Sequence, residues 1–261
     1  MARQDPIEVA AEISYPCIVK PALQREFTNE FGDKVFRAES RNEFLDLCRR
    51  ASRHPLLAQE IVGAGVDSFY SLCSFLNGRS EATGVFVGRK LEQYPPDSGT
   101  ACLVDSRYIG SIADRGVEIL KRFGYHGISE VEFLYDQRDN EFKLLDINTR
   151  VWKWIGLPVR SGIDLPWLAY SDALGQTLEP APRQVDGIKW VYLKDYVKLR
   201  MNRRSQDPGF EVSHEDLMSL IAEKSDERGG IVDAVLSADD PGPFVRLVQG
   251  LFEEKPYYCA C

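Results

Sequence analysis

The segment Glu130–Arg150 constrains this chain more than any other part of its sequence. Two runs of alternating apolar and polar residues flank a polar, turn-prone stretch at Asp136–Glu141, which predicts a β-hairpin. Since successive side chains of a strand point to opposite faces, a hairpin that is symmetric about Asp139 has one apolar face. The predicted pairs on that face are Val131 with Ile147 and Phe133 with Leu145.

The opposite face of the predicted hairpin is acidic. It carries Glu130 opposite Asn148 and Glu132 opposite Asp146, with Cβ atoms of facing residues about 5 Å apart. Carboxylates held that closely repel one another unless a positive group lies between them. Carboxylate and amide oxygens are ligands that suit Mg²⁺, which usually takes one or two carboxylates together with water and phosphate. The hairpin therefore predicts half of a metal–nucleotide site, and the alternative is a solvent-exposed acidic face on an edge hairpin.

Composition excludes several classes of protein. The chain has 261 residues, a net charge of −8 and 44% apolar residues, which favours a globular fold with one large core or two small lobes. The net negative charge argues against a general nucleic-acid-binding protein, which needs a basic surface. A membrane span needs about 20 consecutive apolar residues, which the sequence does not contain. Six scattered cysteines without a Cys-x-x-Cys pair are typical of free thiols, so we expect a cytoplasmic protein.

Other patterns predict the elements around the hairpin. Cys17–Lys20 is a predicted strand that ends on Lys20, where the ammonium either enters a cleft or extends to solvent. Asn77-Gly78 predicts the turn of another hairpin. The spacing of apolar residues predicts an amphipathic helix over Ser106–Phe123. The basic run at Lys198–Arg204 favours a solvent-exposed helix face.

Five motifs in order carry a family resemblance. They are Tyr-Pro-Cys-Ile-Val-Lys-Pro (15–21), Gln-Glu-Ile-Val-Gly (59–63), Gly-Arg-Lys-Leu…Tyr-Pro-Pro…Gly (88–99), Gly-Tyr-His-Gly…Glu-Val-Glu-Phe (124–133) and Leu-Leu-Asp-Ile-Asn-Thr-Arg (144–150). Over roughly residues 5–175 the chain resembles the ATP-grasp superfamily, in particular carboxylate–amine ligases with an ATP-binding domain similar to that of carbamoyl phosphate synthetase.

The resemblance implies an α+β fold in which two lobes with antiparallel sheets enclose the nucleotide. It divides the chain into a small lobe at 1–62, a large lobe with the metal-binding hairpin at 63–178, and a C-terminal extension at 179–261. The implied cofactors are ATP and Mg²⁺, with Mn²⁺ as an alternative metal.

The resemblance also assigns residues to roles. Lys20 and Lys34 match lysines that contact phosphates, Glu60, Ile61 and Val62 match the hinge that reads adenine, and Asp67 matches the ribose-binding carboxylate. The implied metal ligands are Glu132, Asp146 and Asn148. Arg150, Arg89 and Lys90 are the implied catalytic cations near the transferred phosphate.

The implied reaction joins a small-molecule carboxylate to an amine with formation of a C–N bond. ATP phosphorylates the carboxylate, and the amine then attacks the acyl phosphate, while metal and cations screen the meeting anions. Position 146 usually holds Glu, but here it holds Asp, and only Gly32 lies between Lys20 and Lys34 where relatives have several glycines. We also expect an N-terminal domain of the relatives to be missing or to be supplied by a partner subunit. The alternative is a shortened, non-catalytic module that binds nucleotide or forms part of a split enzyme.

Overall fold

The computed structural model describes residues 4–62, 68–96, 99–206, 230–237 and 239–250. The chain divides into two compact units, residues 1–63 and residues 64–261. The first unit contains, in chain order, α1 (Pro6–Glu12), β1 (Cys17–Pro21), α2 (Gln24–Phe31), β2 (Phe36–Ala38), α3 (Arg41–Arg50) and β3 (Leu56–Glu60).

The first unit is a three-stranded antiparallel sheet in the order β2-β1-β3. One face of the sheet is buried under helices, with Cys17 and Val19 of β1 packed against Phe27 of α2 and Phe44 of α3. Ser40 caps α3 by accepting a hydrogen bond from the backbone N–H of Glu43, which satisfies a donor at the start of the helix. The opposite face of the sheet therefore remains outside this core.

The second unit contains the longer elements of the chain. In chain order they are β4 (Phe69–Leu76), β5 (Ala82–Tyr94), β6 (Thr100–Ser106), α4 (Gly110–Arg122), β7 (Gly127–Asp136), β8 (Glu141–Asn148), α5 (Gly156–Arg160), α6 (Leu165–Ala173), β9 (Lys189–Val191), α7 (Leu193–Gln206), β10 (Ile231–Asp233) and α8 (Gly242–Gln249).

The strands of the second unit form one seven-stranded sheet in the order β10-β9-β6-β5-β4-β7-β8. All neighbours pair antiparallel except β10 and β9, which are parallel. The predicted Asn77-Gly78 turn joins β4 to β5, where the Asn77 side chain accepts hydrogen bonds from the N–H groups of Arg79 and Glu81.

Both faces of this sheet are covered by apolar packing. On one face, Leu72 and Val131 pack against Ile112 and Leu120 of α4. On the other, Phe86 packs with Trp154 and with residues of α5 and α6. Gly116 lets α4 approach the sheet closely, since a Cβ there would lie 2.3 Å from a Leu72 methyl group.

The predicted hairpin forms as β7 and β8, with one error of register. Glu130 pairs with Asn148, Val131 with Ile147, and Glu132 with Asp146. The prediction that Phe133 faces Leu145 is wrong because the register shifts between Glu132 and Phe133, and Phe133 pairs with Leu144. A β-bulge of this kind adds one residue to one strand and changes the pairing beyond it.

The predicted helix over Ser106–Phe123 begins later than expected. It starts at Gly110, because Ser106 is the last residue of β6. There the backbone N–H of Ser106 donates to the carbonyl of Ile188, and its hydroxyl accepts from the Ile188 N–H. Within the described parts of the chain, no helix is both long and apolar enough to cross a bilayer.

Candidate active site

An acidic cluster lies at one end of the β7–β8 hairpin. The side-chain amide of Asn148 donates to Glu130 Oε2 at 3.2 Å and to Glu132 Oε1 at 3.1 Å. The two glutamates are two residues apart on β7 and therefore share a face, and Asp146 pairs with Glu132 on that face. The structure thus brings together the carboxylate and amide groups that the sequence predicts.

Burial makes one of these carboxylates unusual. Glu130 is only 5% exposed, and burial raises its pKa to about 8. The charge of Glu132 raises this pKa further, whereas a hydrogen bond from Ser71, the ammonium of Lys90 and the amide of Asn148 lower it. In this cluster, ionisation of both glutamates costs free energy unless a bound cation offsets their repulsion.

Asp146 occupies the exposed rim of the cluster. Its side chain is in the exposed class, and its Oδ1 accepts a hydrogen bond from the N–H of Ile147 at 2.9 Å. In the described residues, no three His, Cys, Asp or Glu side chains converge closely enough to hold a metal ion by themselves. The donor set, two carboxylates and one amide on adjacent register positions, instead fits Mg²⁺ whose remaining ligands are water and phosphate.

The neighbouring strands extend this face of the sheet. Across the sheet, Glu132 pairs with Ser71, and Ser71 pairs with Gly88. A Cβ on Gly88 would lie 3.1 Å from the ring of Trp154, so an indole covers the sheet beside the acidic row. Lys90, two residues beyond Gly88, shares this face, and its ammonium lies 4.6 Å from the centre of the Phe69 ring.

Arg89 does not join the cluster, contrary to its predicted place beside Lys90. It pairs with Tyr70 and lies on the same side as Val87, which is the α4 face of the sheet. Its guanidinium donates to both carboxylate oxygens of Asp105, at 3.1 and 2.6 Å. Because strand side chains alternate, adjacent residues such as Arg89 and Lys90 point to opposite faces.

Arg150 lies two residues beyond the end of β8. Its side chain is exposed, and its Nη1 donates to the carbonyl of Val151 at 3.1 Å. The next residues, Trp152 and Trp154, are each only 5% exposed. Arg150 is therefore an accessible cation next to a segment with two buried aromatic rings.

The residues predicted to contact ATP in the first unit lie on or near its sheet. Lys20 pairs with Leu57, and both belong to the face opposite Cys17 and Val19, outside the helical core. Lys34 is exposed in the connection between α2 and β2. Glu60 is exposed at the end of β3 and is followed by the half-buried Ile61 and Val62.

Two further predictions concern Asp67 and the connection between Lys20 and Lys34. Asp67 lies outside the described residues. The connection between Lys20 and Lys34, which has Gly32 as its one glycine, contains helix α2, and Gly32 ends that helix with a φ of +77°. Its single glycine therefore serves as a left-handed helix cap.

Sequence reasoning missed Ser71 and Trp154 as parts of this site. Ser71 donates to Glu130, and Trp154 covers the adjacent strand at Gly88. Both contacts depend on strand order, since β4 lies between β5 and β7. Gly88 inside a strand pattern was the available signal, because glycine there often marks a close approach by another group.

Comparisons with known proteins identify the class of this fold. Residues 99–180 match the family described as carbamoyl-phosphate synthase L chain, ATP binding domain. The biotin carboxylase of Campylobacter jejuni, solved as a β-γ-ATP complex, superposes with a TM-score of 0.53 at 18% identity, covering 68% of this chain and 40% of that one. The chain has the ATP-grasp fold, and the resemblance predicted from its sequence is confirmed.

A further solved structure and two curated sequences are also similar to this chain. The biotin carboxylase domain of Hydrogenobacter thermophilus 2-oxoglutarate carboxylase, solved with MgADP and bicarbonate, gives a TM-score of 0.52 at 14% identity, covering 66% of this chain and 39% of that one. Two sections of the Methanopyrus kandleri carbamoyl phosphate synthase large chain are similar in sequence. The C-terminal section is 22% identical over 60% of this chain and 31% of its own length. The N-terminal section is 24% identical over 75% and 36%. The chain spans about a third of the length of these curated relatives.

Proposed function

We propose that this chain binds ATP with Mg²⁺ and uses it to join a small-molecule carboxylate to an amine through an acyl phosphate. The observation that carries this proposal is the Asn148 amide bonded to both Glu130 and Glu132, with Asp146 directly opposite Glu132. Acidic groups gathered so closely are stable only when a cation or a proton offsets their repulsion. Glu132, Asp146 and Asn148 would hold the metal.

A metal held by Glu132, Asp146 and Asn148 would supply positive charge that offsets the repulsion between phosphate and substrate carboxylate. The chain's own cations would do the rest of this work. Lys90 lies on the same face of the sheet as Glu132, where its ammonium can meet a phosphate or carboxylate. Arg150, exposed beyond β8, would stabilise the oxyanion that forms when the amine attacks the acyl carbonyl.

The first unit would supply contacts to the nucleotide. Lys20 lies on the face of its sheet outside the helical core, and Lys34 is exposed, so both ammonium groups are accessible to phosphates. The backbone at Glu60 to Val62 would read the adenine edge. Arg89 is not included in this proposal because its guanidinium is bonded to Asp105 on the other face.

A second candidate function is a module that binds nucleotide without turnover. Asp146 favours it, because this side chain is one methylene shorter than the usual Glu and stays on the exposed rim. A shorter carboxylate side chain bridges two metal ions less readily than a glutamate does. The length of chain matched to its relatives, about a third of theirs, also suits a part of a larger assembly.

A trapping assay separates the two functions. The full chain is incubated with Mg·ATP, a panel of amino acids and other small carboxylates, and hydroxylamine, which converts an acyl phosphate to a stable hydroxamate. The ligase proposal predicts hydroxamate and phosphate in equal amounts with at least one carboxylate. The matched variant Lys90→Met should retain nucleotide binding and lose most of this product.

Two results would redirect the proposal. Binding of Mg·ATP with no hydroxamate from any carboxylate would favour the non-catalytic module. Hydroxamate formation that Lys90→Met leaves unchanged would contradict the role given to Lys90.

A further inference from the structure

The residues that follow β8 cross the sheet from one side toward the other. We call residues 149–155 the crossing segment. It leaves the edge strand β8 after Asn148, and its Trp154 ring lies against Gly88 of β5. One residue earlier, the Lys153 ammonium donates to Thr100 Oγ1 of β6 at 3.3 Å. The segment therefore passes over the strands that carry the acidic cluster.

The crossing segment ends in a turn, in which the N–H of Ile155 donates to the carbonyl of Trp152. Trp152 and Trp154 are buried in the core on this face of the sheet. Between them the Lys153 ammonium makes a polar tie to β6, so its partners help to determine how the segment lies.

The far anchor belongs to the C-terminal part of the chain. Lys153 Nζ donates to Asp195 Oδ2 at 2.5 Å, in the first turn of α7, and lies 4.1 Å from the centre of the Tyr192 ring. The Asp195 side chain is 2% exposed and that of Lys153 is 23% exposed. Both Asp195 and Tyr192 lie beyond residues 99–180, which match the family.

We propose that Asp195 is a positioning residue that fixes the far end of the crossing segment and thereby holds Arg150 in place. This inference rests on the proposed function, because Arg150 is the exposed cation of that segment. Removal of either member of a buried ion pair leaves the charge of the other member uncompensated. Release of the anchor lets the segment move, and a cation that must be reordered binds phosphate more weakly.

Asp195→Asn tests the inference, and Asp136→Asn is its matched control. Asp136 is also an ion-paired aspartate with a 2% exposed side chain in the same unit, bonded to Arg138 at 2.6 Å at the turn end of the hairpin. Amide hydrogen exchange of the full chain, followed at residues 149–155, and the Kd for Mg·ATP are measured for both variants. Asp195→Asn should speed exchange in the crossing segment about tenfold and raise Kd about tenfold, whereas Asp136→Asn should change neither.

A second variant separates the loss of the anchor from the effect of an unpaired buried charge. Lys153→Met combined with Asp195→Asn leaves neither charge of the pair, and it should loosen the crossing segment as much as Asp195→Asn alone. Exchange at 149–155 that matches the Asp136→Asn control in both variants would overturn the inference and leave Asp195 with a purely stabilising role. If the unmodified chain fails to bind Mg·ATP, the proposed function fails, and the exchange rates alone support or overturn the anchoring by Asp195.

Discussion

Replacement of Glu130 by glutamine should remove a pH dependence from the stability of residues 64–261. Burial and the nearby charge of Glu132 raise the pKa of Glu130 to about 8 from an ordinary 4.5. Between these two values the folded chain holds a proton that the unfolded chain has released. Because the folded pKa is raised, the contribution of Glu130 to stability is complete below pH 4.5 and is lost as the pH rises toward 8.

The size of this effect follows from one linked proton. Its slope is at most about 1.4 kcal/mol per pH unit, so between pH 5 and 7 the unfolding free energy should fall by about 2–3 kcal/mol from Glu130 alone. Glu130→Gln should remove this fall. Glu141→Gln, which changes an acid on the same hairpin with a 61% exposed side chain, should retain it.

The assay is urea unfolding with EDTA present, followed by tryptophan fluorescence. All four tryptophans of the chain, Trp152, Trp154, Trp167 and Trp190, lie in the second unit, so the signal reports the unit that contains Glu130. Comparison of variants cancels the titration of the histidines. Equal pH slopes for the unmodified chain and Glu130→Gln would refute the buried, proton-holding carboxyl.

Two further substitutions separate structural from ligand-binding cations. Arg89→Met should lower the unfolding free energy by about 2 kcal/mol, since it leaves a largely buried aspartate without its main partner, yet the Kd for Mg·ATP should change less than twofold; a tenfold weaker Kd would restore Arg89 to the site. Lys20→Ala should weaken Mg·ATP binding at least tenfold, about 1.4 kcal/mol. The control Arg37→Ala removes a cation on the same face of the sheet, in the neighbouring strand, that is paired with Glu39, and it should change the Kd less than twofold. Equal effects of the two alanine variants would contradict a specific phosphate contact by Lys20.

The acidic end of the hairpin was predictable because its pattern is strict. Strand alternation alone places Glu130 opposite Asn148 and Glu132 opposite Asp146, and the structure has both pairs. The error at Phe133 arises one residue later, where a bulge shifts the register without a distinctive residue to mark it.

Contacts between distant strands were harder to predict. Alternation shows that Arg89 and Lys90 point to opposite faces, but only the order β5-β4-β7 decides which of them meets Glu132. The contact of Asp195 with Lys153 could not be predicted either, since it depends on the packing of α7 against β6. No local pattern in either segment encodes that pairing.

The dependence of ATP binding on magnesium tests the central claim most directly. Isothermal titration of the full chain with ATP, in Mg²⁺ and then in EDTA, should show binding that requires the metal, and Asp146→Asn should weaken the Mg²⁺-dependent affinity tenfold or more, about 1.4 kcal/mol. Affinity for ATP that is the same with and without the metal, and the same in Asp146→Asn, would contradict the account.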